Sequence, residues 1–138
     1  MTVQVVWFKR DLRIRDHWPL ANACRAGPVL PLYIIEPAYW QQPDSSARQW
    51  AFIAESLREL RNQLATLGLP LWVVEGDAQA VLSGLHKRFA GIALHSHQEY
   101  GVAWTYRRDR QIKQWCQQQR VEWEETPPFG VMRPCLDR

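Results

Sequence analysis

The stretch VVWFKRDLRIRDH, residues 5–17, decides how the chain folds, because it joins an uninterrupted apolar run to a dense group of charges. The run from Val5 to Phe8 contains no polar residue, which is typical of a strand buried on both faces of a parallel sheet. The charged residues that follow carry both signs and are Lys9, Arg10, Asp11, Arg13, Arg15 and Asp16. Charges at the end of a core strand need partners or a ligand, so this loop is the first candidate for a functional site.

The rest of the chain repeats the alternation of strand and helix. Short runs with strand character predict further strands at 29–36, 69–76, 91–96 and 121–125. Helical periodicity and end signals predict helices at 17–27, 46–67, 77–89 and 102–120. The segment 37–46 contains two prolines and is predicted to be a loop with exposed aromatic residues.

The clearest helix is the one at 46–67. Ser46 and Gln49 form a capping box, and Gly68 with Pro70 ends the run. Between these signals apolar residues recur at three- and four-residue steps, at Trp50, Ile53, Leu57, Leu60, Leu64 and Leu67. The pattern predicts a long helix that packs one face against the sheet.

This alternation predicts the α/β class: a five-stranded parallel, Rossmann-like sheet in the order 3-2-1-4-5, with helices on both faces. In such sheets ligands bind outside the carboxyl ends of the strands, at the point where the strand order reverses. That point lies between the first and fourth strands. The loops that meet there are 9–17 and 97–101.

The composition of the loop after the first strand indicates that arginine side chains, and not backbone amides, would bind an anionic ligand. It has no glycine, so it cannot wrap a pyrophosphate as a dinucleotide-binding or P-loop turn does. Arg10 and Arg13 offer planar guanidinium groups that bind carboxylate or phosphate and stack on rings. The alternative for Asp11 and Arg13 is that they pair with neighbours and hold the loop in place.

Three further residues are candidate contacts at the same edge of the sheet. Arg48 lies in the first turn of the long helix, where a cation opposes the helix dipole, which suggests a ligand or partner. Ordinary surface placement is the alternative. Gln98 and Glu99 follow the fourth strand and are predicted to face a ligand.

Two other charged or metal-like patterns are given structural interpretations. His95, His97 and Glu99 would lie on one side of an extended strand, as metal ligands do, but the strand is ending there, so we expect no metal. The run RRDRQIK at 107–113 is predicted to be a solvated helix face, with Arg108 and Asp109 as a local anchor. No nucleophile or acid–base pair is specified, so the sequence predicts a binding site without a catalytic one.

Length and composition indicate one domain of 138 residues, 46% hydrophobic and 22% charged. The net charge of +3 makes a weak case for nucleic acid binding by this chain alone. The three cysteines, Cys24, Cys116 and Cys135, have no zinc spacing and are expected to be reduced thiols in a cytoplasmic protein. No apolar run approaches ~18 residues, and the first strand begins too early for a signal peptide, so we expect no membrane association.

The quoted stretch closely resembles the opening of the DNA photolyase and cryptochrome family, through WFKRDLR at 7–13. The resemblance continues through FIAESLREL at 52–60 and SHQEYGVAWTYRRDRQIKQWC at 96–116, and it includes the ending W-E-x-x-x-x-x-G-V-M-R. It covers essentially the whole chain. The departures are Lys9 for a usual arginine, His17 for the usual asparagine and Trp18 inserted before Pro19, which concern local loop contacts.

The resemblance implies that residues 1–126 form the amino-terminal α/β domain of a longer enzyme and that 127–138 begin a linker to a helical domain. In the family that helical domain holds FAD and binds damaged DNA, and the α/β domain often carries a light-harvesting antenna: a folate, a deazaflavin or another flavin. FAD is therefore expected only in the absent domain. By resemblance, the candidate antenna contacts are Arg10, Asp11, Arg13, Arg48, Gln98 and Glu99.

The leading hypothesis is thus the antenna domain of a blue-light deoxyribodipyrimidine photolyase, a carbon–carbon lyase whose catalytic residues lie outside this chain. A second is a fragment of a cryptochrome-like signalling photoreceptor that repairs nothing. A third is a free-standing nucleotide-binding module. The proline-rich stretch at the carboxyl end disfavours the third, because it is typical of a linker.

Overall fold

Five strands pair side by side in one parallel sheet in the computed structural model, which describes residues 2–41, 47–99 and 103–127. The strands are β1 Val3–Phe8, β2 Val29–Ile35, β3 Trp72–Glu75, β4 Ile92–His97 and β5 Trp123–Thr126. The helices are α1 Trp18–Ala26, α2 Pro37–Trp40, α3 Ala47–Thr66, α4 Ala78–Arg88 and α5 Ala103–Gln119. The order β3-β2-β1-β4-β5 confirms the predicted fold class.

The middle strand β1 is buried as its sequence predicts. Val5, Val6, Trp7 and Phe8 are each at most 1% exposed. Because side chains alternate along a strand, β1 supplies two separate cores, one on each face of the sheet. Val5 and Trp7 pack with residues of α4 and α5, whereas Val6 and Phe8 pack with residues of α1 and α3.

The long helix α3 follows its predicted pattern over most of its length. Leu57, Leu60 and Leu64 are buried against the sheet. The helix ends at Thr66, and Gly68 then takes φ +75°, a left-handed conformation that glycine adopts without strain. The backbone N–H of Leu69 donates to the carbonyl of Leu64 at 3.0 Å and closes the last turn.

Two of the predicted buried positions of α3 are exposed, and two further expectations lie outside the described residues. Trp50 is 36% exposed and Leu67 is 53% exposed, so neither belongs to the buried stripe. Trp50 lies near the start of α3, where its ring contacts Trp40, and Leu67 lies beyond the last helical turn. The capping residue Ser46 and the predicted linker from 128 onward are outside the described residues.

The predicted loop at 37–46 begins with a short helix. Pro37 occupies the first turn of α2, where its missing N–H costs nothing and its fixed φ favours the helix. Tyr39 and Trp40 are consequently half-buried and not exposed as predicted. Across the described ranges no helix combines the length and apolar character that a bilayer crossing requires.

Candidate functional site

A cavity of about 550 Å³ opens at the carboxyl ends of β1 and β2, beside the first turns of α3. This is the edge of the sheet where doubly wound folds bind ligands, and the volume lies within the range of small-molecule sites. Its walls are mainly aromatic, and the ring-bearing residues that line it are Trp7, Phe8, Tyr33, Tyr39, Trp40 and Phe52. A second, larger groove of about 970 Å³ lies on the β4–β5 side and carries few rings.

The short helix α2 organises one wall of this cavity through contacts between rings. The centroids of Tyr39 and Trp40 lie 5.3 Å apart, and Trp40 lies 5.4 Å from Trp50 of α3. Tyr39 also lies 5.5 Å from Trp104 of α5. All three contacts are edge-to-face, the arrangement that aromatic pairs prefer. A wall built this way is rigid and offers ring faces to a planar ligand.

Arg108 of α5 forms the polar floor of the cavity. Its guanidinium donates to the carboxylates of Glu36 and Glu99 and, at 3.0 Å, to Asp109. Its carbon Cζ also lies 4.8 Å from the centre of the Trp7 ring. Burial works against the charge of Arg108, but the surrounding carboxylates outweigh burial and raise its pKa above the ordinary value. Arg108 therefore stays charged and ties together three segments of the chain.

Glu36 directly follows β2, and its buried environment disfavours the charged form of its carboxyl group. Burial raises its pKa to about 7, against the opposing attraction of Arg108. Glu36 is therefore divided between its neutral and charged forms near neutral pH. When neutral it has an O–H group as well as acceptor oxygens, so it suits the polar edge of a heteroaromatic ring.

The other cations at the site are also paired. Lys9 is 8% exposed, with its Nζ 3.4 Å from Asp109 and 4.3 Å from the centre of the Trp7 ring. Burial lowers the pKa of Lys9, and Asp109 opposes this effect. At the rim, Nε of Arg10 lies 3.2 Å from Glu99. The three cations face three carboxylates, so aromatic surface, and not net charge, distinguishes the cavity.

The structure brings only some of the predicted contact residues to this cavity. Arg10 and Glu99 are among its lining residues. Gln98 lines a separate cleft along α5, and Arg13 is exposed and donates to backbone carbonyls of its own loop. Arg48 lies in the first turn of α3, but its side chain is outside the described residues. All of these residues remain predicted contacts.

Asp11, whose side chain is 11% exposed, forms a cluster with two buried histidines beside the cavity. Its Oδ2 lies 2.5 Å from Nε2 of His17 and 2.6 Å from Nδ1 of His97. Its Oδ1 accepts the backbone N–H of Lys9 at 2.8 Å. Burial alone would raise the pKa of Asp11, but the hydrogen bonds from the histidines outweigh it and hold the pKa well below the ordinary value. This geometry supports the internal alternative for Asp11, in which it holds its loop in place.

Asp11, His17 and His97 are residue types that bind metal ions, but the hydrogen bonds of His17 place a proton on the ring nitrogen that an ion would need. Within the described residues, Asp11, His17 and His97 are the group close enough to share an ion. Nδ1 of His17 accepts the backbone N–H of Leu20, so the proton of that neutral ring is on Nε2, where a metal would bind. The same Nε2 therefore donates to Asp11. We conclude that the cluster is held by hydrogen bonds.

The metal-like pattern of His95, His97 and Glu99 does not bring the three side chains together. His95 turns to Gln4, at 2.7 Å, and to Glu124, at 3.1 Å, toward the other end of the sheet. His97 reaches Asp11, whereas Glu99 pairs with Arg108. The strand ends between His97 and Glu99, so the alternation that would place all three together does not continue.

Sequence reasoning missed the residues that form the floor and one wall of the cavity. The run at 107–113 is predicted to be a solvated face with Arg108 and Asp109 as a local anchor; the two do pair, but Arg108 is only 9% exposed and reaches the cavity. A signal was present, because Thr105, Arg108, Ile112 and Trp115 follow helical spacing and all are buried. Glu36 directly follows the apolar run of β2, which places it at the ligand-binding edge of the sheet.

Comparison with known proteins identifies the family. A model of the DNA photolyase family matches residues 4–131. The chain belongs to the DNA photolyase family. This photolyase-family chain is 49% identical to the deoxyribodipyrimidine photo-lyase of Salmonella typhimurium over 73 residues, 51% of the chain and 15% of that enzyme. It is 30% identical to the chloroplastic/mitochondrial cryptochrome DASH of Solanum lycopersicum over 104 residues, 70% of the chain and 18% of that protein.

A solved structure supports the same assignment. The archaeal photolyase from Sulfolobus tokodaii superposes on this photolyase-family chain with a TM-score of 0.78 and 26% identity, covering 91% of the chain and 29% of the archaeal protein. That structure is described as containing two FAD molecules, with the implication of a novel light-harvesting cofactor. The chain thus spans less than a third of the length of each of these relatives.

Proposed function

We propose that this chain is the light-harvesting antenna domain of a blue-light deoxyribodipyrimidine photolyase that repairs pyrimidine dimers in DNA. The observation that carries the proposal is the aromatic cavity at the carboxyl edge of the sheet. Family membership supplies the context in which a cavity of this kind would hold a chromophore.

The proposed ligand is a planar heteroaromatic chromophore: a folate, a deazaflavin or a flavin. The residues present fit such a group, because Trp40 and Phe52 supply ring faces while Glu36 supplies a polar partner for a ring edge. When bound, the chromophore would absorb light and pass its excitation energy onward. The contribution of this chain is to hold the ring, exclude water and fix its orientation.

The proposed partners belong to the parent protein. A helical domain following residues 127–138 would hold the catalytic FAD and bind damaged DNA, and the parent enzyme would be a carbon–carbon lyase. The proposed location is the cytoplasm, which the free thiols of Cys24 and Cys116 support.

The second candidate function is a blue-light signalling photoreceptor of the cryptochrome type. The identity of 30% with a cryptochrome DASH over 70% of the chain favours it. Under this proposal the cavity would still hold a chromophore, but the parent protein would not repair DNA. A repair assay on the full-length parent protein separates the two proposals.

Titration with chromophores tests the cavity assignment. We expect riboflavin, 5-deazariboflavin or methenyltetrahydrofolate to bind one-to-one, with a change in ligand fluorescence. Ile53→Trp places a larger side chain in the cavity and should abolish binding, because overfilled volume excludes the ring. Arg48→Ala should weaken binding about tenfold to a hundredfold if Arg48 makes one charge-assisted contact.

The matched control is Leu67→Trp, which adds a comparable side chain at an exposed position outside the cavity lining. This variant should bind as the unaltered chain does. Failure of all three chromophores to bind, or equal binding by the Ile53→Trp variant, would refute the cavity as the chromophore site.

The chain by itself should not repair pyrimidine dimers under blue light, even with added FAD and reductant. Repair requires an excited reduced flavin held against an extruded base, and the family places that site in the other domain. The net charge of +3 also provides little sequence-independent attraction to DNA. Repair of a dimer-containing oligonucleotide above the level of free flavin would contradict the antenna assignment.

A further inference from the structure

The cluster of Asp11, His17 and His97, here called the clamp, joins the two loops that follow β1 and β4. Asp11 and His17 belong to the loop after β1, and His97 is the last residue of β4. The side chain of His17 is fully buried, and that of His97 is 6% exposed. The rings of the two histidines also contact each other edge-to-face at 4.6 Å. The clamp is therefore a tightly packed link across the switch point of the sheet.

The clamp lies next in sequence to two residues at the cavity rim. Arg10 directly precedes Asp11, and Glu99 follows His97 by two positions. Arg10 and Glu99 both line the cavity and form an ion pair 3.2 Å long. Because the Arg10 side chain is 55% exposed, that ion pair alone holds the loops weakly. Arg108 also holds Glu99, and the clamp adds a direct link between the loop after β1 and the end of β4.

Each histidine makes a hydrogen bond whose direction the surroundings determine. His17 accepts from the backbone of Leu20 at Nδ1 and donates to Asp11 through Nε2. His97 donates to Asp11 through Nδ1, because the carboxylate has no proton to give. Within the described residues, Nε2 of His97 is buried and has no hydrogen-bonding partner. Burying Nε2 of His97 without a partner costs stability, and the hydrogen bond of His97 to Asp11 must offset this cost.

We propose that His17 and His97 are positioning residues: by holding Asp11 from both sides they place Arg10 and Glu99 at the rim of the chromophore cavity. This inference rests on the proposed function, since it concerns the same cavity. The clamp residues themselves are not among the lining residues, so they act on a ligand through residues that they contact or adjoin, and the proposal concerns the rim pair.

The chain offers variants that keep or remove the bond of each histidine to Asp11. In His97→Asn the amide nitrogen takes the place of Nδ1 and keeps the donor to Asp11, whereas His97→Leu removes it. In His17→Asn the amide oxygen keeps the helix cap on Leu20, but the shorter side chain does not reach Asp11. The pair His97→Leu and His97→Asn thus differs in the donor to Asp11 that the clamp requires.

The test measures the dissociation constants of riboflavin, 5-deazariboflavin and methenyltetrahydrofolate, using the probe that binds the unaltered chain most tightly. We expect His97→Leu and His17→Asn to weaken binding by about tenfold, and His97→Asn to retain most of the affinity. The same substitutions are then made in a chain that already carries Arg10→Ala and Glu99→Gln. There the further loss should be clearly smaller, because the rim pair through which the clamp is proposed to act is gone.

The outcomes separate this proposal from the proposed function. If no probe binds the unaltered chain, both are wrong. If a probe binds and His17→Asn leaves its affinity unchanged, only the clamp proposal is wrong. An equal loss with and without the rim pair would show that the clamp contributes general stability, and the positioning role would be abandoned. If His97→Leu does not fold, the His17→Asn variant, which keeps its helix cap, decides the outcome.

Discussion

Replacing Arg108 with Met is expected to lower the free energy of unfolding by roughly 3–5 kcal/mol, the range for removing one partner from a buried ion pair. Arg108 is 9% exposed and donates to Glu36, Glu99 and Asp109. Without the guanidinium, these carboxylates remain at a site that water reaches poorly. The measurement is urea unfolding followed by tryptophan fluorescence, with the midpoint and slope compared at pH 8.

The matched control is Arg107→Met, at the preceding, exposed position of α5. It removes the same charge and should change stability by no more than about 0.5 kcal/mol. A second substitution, Glu36→Gln, added to Arg108→Met should recover part of the loss, because it removes one of the uncompensated charges. A cost for Arg108→Met no larger than that for Arg107→Met would mean that the network contributes little.

Glu36→Gln alone is expected to stabilise the protein above neutral pH, by up to about 3 kcal/mol. Burial raises the pKa of Glu36 from its ordinary 4.5 to about 7. Between these two values the folded state binds more protons at Glu36 than the unfolded state does, so stability falls as the pH rises through that interval. Glutamine has no charge to bury, and it keeps an oxygen that accepts from Arg108. Arg108 retains Glu99 and Asp109, so its guanidinium is not left unpaired.

The measurement is the difference in free energy of unfolding between Glu36→Gln and the unaltered chain at several pH values from 5 to 8. The difference should be small at pH 5 and grow as the pH rises to 8. Comparison at each pH is needed because His17, whose pKa burial lowers, changes stability in the opposite direction. Glu59→Gln, at an exposed position of α3, is the control and should give a small difference at every pH. A destabilised Glu36→Gln variant at pH 8 would contradict the prediction.

Arg108 and Glu36 belong to one ionic network but are expected to contribute differently to the stability of the fold. Arg108 is necessary because it is the shared partner of three carboxylates. Glu36 is expected to be dispensable for stability because burial raises its pKa to about 7 against the attraction of Arg108. At the cavity, a carboxyl group that is partly neutral near pH 7 would be able to meet the polar edge of a ring.

The sheet and its strand order were predictable from the sequence because buried strands and buried helix faces have recognisable patterns of apolar residues. Val5 to Phe8 read as a strand covered on both faces, and they lie in the middle of the sheet with almost no exposure. The spacing of Leu57, Leu60 and Leu64 likewise predicted the buried face of α3. The spacing of apolar residues and the composition of a segment depend only on residues that are close in sequence, so no tertiary information was needed. The edge of the sheet at which a site forms followed from the same pattern.

The tertiary structure decided which residues line the cavity. Glu36, Glu99 and Arg108 are separated by as many as 72 positions, and nothing local indicates that they meet. Arg108 lies in a run of charges that is typical of a solvated face, and although its helical spacing with Ile112 and Trp115 is compatible with burial, its contacts with Trp7 and Trp104 exist only in the folded chain. Asp11 likewise is not among the residues that line the cavity, and its carboxylate is paired with His17 and His97. Local sequence thus determined the strands, the four longer helices and the edge of the sheet at which the cavity opens, whereas the pairing of each charge depended on distances that exist only once the helices pack on the sheet.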